Sequence, residues 1–60
     1  MNLQMLTTYL KESITKHPQH KEEIMSLYQL CLDEIDEGGS EEHECDLCYR
    51  DVEDIVNEQS

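Results

Sequence analysis

A chain of 60 residues, with 15 Asp or Glu against 4 Lys or Arg and a formal net charge of −11, is one small domain at most. Such a balance argues against direct binding to nucleic acid or to an anionic membrane, both of which it repels. The charge is also divided, at about +2 up to Lys21 and −13 beyond it, where Arg50 is the sole lysine or arginine.

Leu3, Leu6, Leu10 and Ile14 advance by three, four and four residues, which places them on one face of a first helix over about residues 2–15, with Tyr9 at its edge. Pro18 disfavours helical geometry at His17 and is tolerated at the first position of a new helix, so a second helix is expected over about residues 18–37. Its apolar residues Ile24, Leu27, Tyr28, Leu30, Cys31, Leu32 and Ile35 cover more than one narrow stripe, which predicts neighbours on two sides. Gly38 and Gly39 supply the left-handed geometry that ends a helix, and Ser40 can cap the next one. A third helix over about residues 41–57 then carries Cys45, Cys48, Val52 and Ile55 along one seam.

These elements define an all-α fold in a single domain: a hairpin of the second and third helices with the first packed across it. A chain this short buries only about 60% of its unfolded surface. Without Phe or Trp its core is thin. The expected core and self-association residues are Leu3, Leu6, Leu10, Ile24, Leu27, Cys31, Cys45, Cys48, Val52 and Ile55. The broad apolar surface of helix two, left beside so thin a core, predicts a symmetric homodimer.

No apolar signal region or bilayer-length apolar run is present, so the expected location is the cytoplasm, where the three cysteines stay reduced. His43, Cys45 and Cys48, joined by Cys31 from the facing helix, would make a three-sulfur, one-nitrogen set for zinc. Against this small structural zinc protein, Cys45 and Cys48 share the seam of Val52 and Ile55, and His43 lies about 160° round the helix from Cys45. The thiols are therefore read as small core residues, with no metal and no cofactor. His17 and His20 flank Pro18 in a turn and are read as exposed. No acid, base and nucleophile set emerges, so no enzymatic activity is expected.

Eight carboxylates fall between Asp33 and Asp46, four on each side of the Gly38-Gly39 turn. They lack the alternating ligands and central glycine of a twelve-residue calcium loop. Arg50 is spaced to bridge Asp46 and Asp54, for tenths of a kcal/mol per pair. Asp36, Glu37, Glu41, Glu42 and Asp46 are the candidate contacts to a protein partner with a basic surface.

From Ser26 to Val56 the run SLYQLCLDEIDEGGSEEHECDLCYRDVEDIV, with its Leu-Cys-Leu-x-Glu-Ile helix, acidic Gly-Gly-Ser turn and His-Glu-x-x-Leu helix, resembles short acidic proteins of unassigned function carried by large tailed bacteriophages. The resemblance implies an accessory protein acting in the bacterial host cytoplasm, and it carries over no catalytic residue. The expectation is a non-catalytic acidic helical module that binds a protein. A second reading is a nucleic-acid mimic that occupies the basic groove of a DNA- or RNA-binding protein.

Overall fold

The computed structural model describes residues 1–58. It contains α1 (Leu3–Lys16), α2 (Lys21–Asp36) and α3 (Glu41–Glu58), with a single 3-10 turn at Pro18–His20 and no strand among the described residues. Asn2 stands outside α1 as its cap: its backbone is extended, and its side-chain oxygen accepts from the Met5 amide at 2.8 Å. This satisfies one of the amides left without a partner in a first helical turn.

The second helix starts three residues later than the proline signal suggests. Pro18 has no amide to donate, and the His20 amide donates to the His17 carbonyl at 3.0 Å, closing a tight three-residue turn before α2 begins. At the far end of α2, Gly38 takes φ 108°, a left-handed value open to glycine. The Gly38 amide then reaches the Ile35 carbonyl at 3.1 Å and the Gly39 amide the Glu34 carbonyl at 2.8 Å, which closes off the end of the helix. Ser40 opens α3, its carbonyl accepting from Glu44 at 2.9 Å and its hydroxyl from the His43 amide at 3.4 Å.

The double-glycine turn folds α2 and α3 into an antiparallel hairpin, and α1 packs against both helices. It runs parallel to α3: the Leu3 amide meets Glu41, and the Tyr9 and Tyr49 rings lie 4.5 Å apart at 55°. The resulting rod measures 34 × 17 × 15 Å. Its core is one cluster of Leu6, Leu10, Ile24, Cys31, Cys45, Cys48 and Val52. Full burial of a side chain such as Leu6 or Ile24 contributes about 1.5–3 kcal/mol. The third wall of this core thus comes from α1 of the same chain.

Leu3 and Leu27 are half-buried and pack on the rim of the cluster. Ile55, expected on the α3 seam, is half-buried beside Ser26 and Leu27 instead, and Val56 packs on the cluster. The reason is helical drift, since Ile55 points about 80° away from Cys45 and Val56 only about 20°.

Candidate functional site

The hairpin turn and the amino-terminal ends of α1 and α3 meet at one end of the rod. The carboxylates gathered there do two different things. Glu41 accepts from the Leu3 amide at 3.2 Å, and Asp46 accepts from the amino group of Met1, also at 3.2 Å. Both tie the start of α1 to α3, placing negative charge at the positive end of a helix. The carboxylates of Asp36, Glu37 and Glu42 are exposed and make no hydrogen bond or ion pair among the described residues. Asp36 and Glu37 also stand at the negative end of α2, a local cost that a cation from outside would relieve. Arg50 forms no ion pair with Asp46 or Asp54 among the described residues. An exposed guanidinium keeps its hydration, which offsets most of such a weak contact.

All three cysteines are free and buried. Burial is the main force on each thiol and raises its pKa. Cys45, with Cys31 as its next influence, and Cys48, with Asp51 as its next, are pushed up to about 11. Cys31 is raised too, with Cys48 adding to the effect. Protonated thiols of this kind are poor nucleophiles. His43 lies on the exposed surface. Among the described residues no three His, Cys, Asp or Glu side chains are grouped to hold a metal ion.

His20 departs from the sequence expectation. It is 8% exposed, its Nδ1 lies 3.3 Å from a Glu23 carboxylate oxygen, and its Nε2 is buried without a hydrogen-bond partner. The 3-10 turn directs the ring inward, and a local composition of Lys, His, Pro and Gln gave no sign of it. Ser13 is buried as well.

The other feature that periodicity obscured is an apolar strip on the far face of the hairpin, where Leu30 is 58% and Leu47 40% exposed. Leu47 lies off the Cys45–Cys48–Val52 seam, and that offset is the signal in the sequence. No helix among the described residues is long and apolar enough to cross a membrane. Comparison of the chain with protein-family models, curated proteins and solved structures gives no match.

Proposed function

We propose that this chain is a non-catalytic helical interaction module whose acidic end engages a basic surface on a protein partner. The observation that supports the reading is the division of labour among the tip carboxylates. Glu41 and Asp46 are spent on holding α1, while Asp36, Glu37 and Glu42 stand exposed and unpaired. A cation brought by a partner would relieve repulsion among them and the unfavourable end of α2 together. Following the resemblance of residues 26–56 to phage accessory proteins, the partner is sought in bacterial cytoplasm.

The test is affinity capture from bacterial lysate with the native chain and with a variant carrying Asp36→Asn, Glu37→Gln and Glu42→Gln. The expected result is a partner captured by the native chain, released by salt and lost in the variant, with the circular dichroism of the two proteins the same. Equal capture by both would reduce the tip to a solubilising surface.

A further inference from the structure

We propose that the face of the α2–α3 hairpin turned away from α1 is a groove for a basic amphipathic helix of a protein partner. The floor is apolar: Leu27 and Leu30 come from α2 and Leu47 from α3, with no α1 residue in the lining. The walls are acidic, Glu34 on one side and Glu44 and Asp51 on the other. Toward the opposite end of the rod a second hollow adjoins it at Leu27, lined by Ile55, Glu22 and Glu23.

Three properties select the occupant. The hollow between Leu30 and Leu47 holds about 130 Å³, and the one beside Ile55 about 430 Å³. The first lies below the roughly 300–1,000 Å³ of small-molecule sites and suits one projecting side chain, while the second leaves room for more than one. From Glu22 to Glu34 the groove follows α2 for about 18 Å, the length of roughly three helical turns. An occupying helix would present apolar anchors three and four residues apart, the usual mode of helix-in-groove recognition. Finally, five carboxylates and no lysine or arginine line the two parts of the cleft. A second copy of this chain, with a net charge of −11, would set like charges against them. A helix with Leu or Met along one stripe and Lys or Arg on either side matches both floor and walls.

This inference rests on the reading of the chain as an interaction module but not on its acidic tip. The probe is a synthetic helical peptide of about three turns with a leucine stripe flanked by lysines. It is compared with a scrambled peptide of the same composition and with one whose lysines are replaced by glutamates. Binding should move the methyl resonances of Leu27, Leu30, Leu47 and Ile55, and only the amphipathic basic peptide should do so. Leu30→Gln and Leu47→Gln should each weaken it roughly tenfold with helix content retained, since each loses an apolar anchor at an exposed position. The tip variant with Asp36, Glu37 and Glu42 neutralised should still bind the peptide, whether or not it has lost its lysate partner. Equal binding of the scrambled peptide, or indifference to both leucine substitutions, would overturn the groove and leave the tip proposal standing. So would a native dimer that Leu30→Gln converts to monomer, since a second copy would then be the occupant.

Discussion

Cys45 has no exposed surface and shares the core with Leu6, Ile24 and Val52. Removing its sulfur leaves a void, so Cys45→Ala should cost on the order of 1 kcal/mol, whereas Glu42→Ala at an exposed site should stay within about 0.5 kcal/mol. Denaturant titration of the two variants checks this. The thiol also links stability to alkaline pH. Its folded pKa of about 11 lies above the ordinary 9.0, so the unfolded chain loses the proton first. The contribution is therefore whole below pH 9.0 and declines as pH rises toward about 11. Melting curves across that window should fall less steeply for Cys45→Ala than for the native chain, and parallel curves would refute the link. At this scale the sequence was informative where periodicity acts, since the cysteines keep the register of Val52. It was silent on His20, whose inward turn depends on the local geometry after Pro18.

At the scale of elements, the two glycines of the turn do different work. Gly38 needs its positive φ, yet a Cβ there would meet no atom within 4 Å. Gly39 lies so close to the end of α2 that a Cβ would sit 2.8 Å from the Glu34 carbonyl oxygen, the atom its own amide bonds. Gly38→Ala should therefore cost about 1 kcal/mol, from conformation alone. Gly39→Ala should cost more, because backbone must move and the bond that closes the helix must lengthen. Thermal melts followed by circular dichroism would rank them, and the reverse order would contradict the geometry. Helix ends marked by glycine or by Asn2 and Ser40 were legible because each carries its own local chemistry. The start of α2 was not, since Pro18 opens an α-helix and a 3-10 turn equally well.

At the scale of the whole molecule, the all-α hairpin with a packed third helix was legible from the spacing of apolar residues and the two chain-reversing signals. The direction of α1 was not, because a stripe tells which face is buried and not which neighbour covers it. Leu3–Glu41 and Tyr9–Tyr49 settle the matter as parallel to α3. The same compact rod holds the −13 charge of the residues beyond Lys21, with one arginine among them. Added salt should therefore stabilise it: as salt rises from about 0.01 to 1 M the screening length falls from roughly 30 to 3 Å, and the melting temperature should climb. A melting temperature that falls with salt would mean that attraction, and not repulsion, dominates the surface. The parallel docking of α1 carries one more consequence. Its first contacts with α3 join residues 38 and 45 positions apart in the chain, whereas the hairpin closes through four residues of turn. The expected partial opening is therefore one in which the first helix lifts away while the hairpin persists. The thiol of Cys45, near enough to feel the charge of the Met1 amino group, would be uncovered each time it does. Slow alkylation of that sulfur in the native protein then becomes a clock that counts the openings of α1.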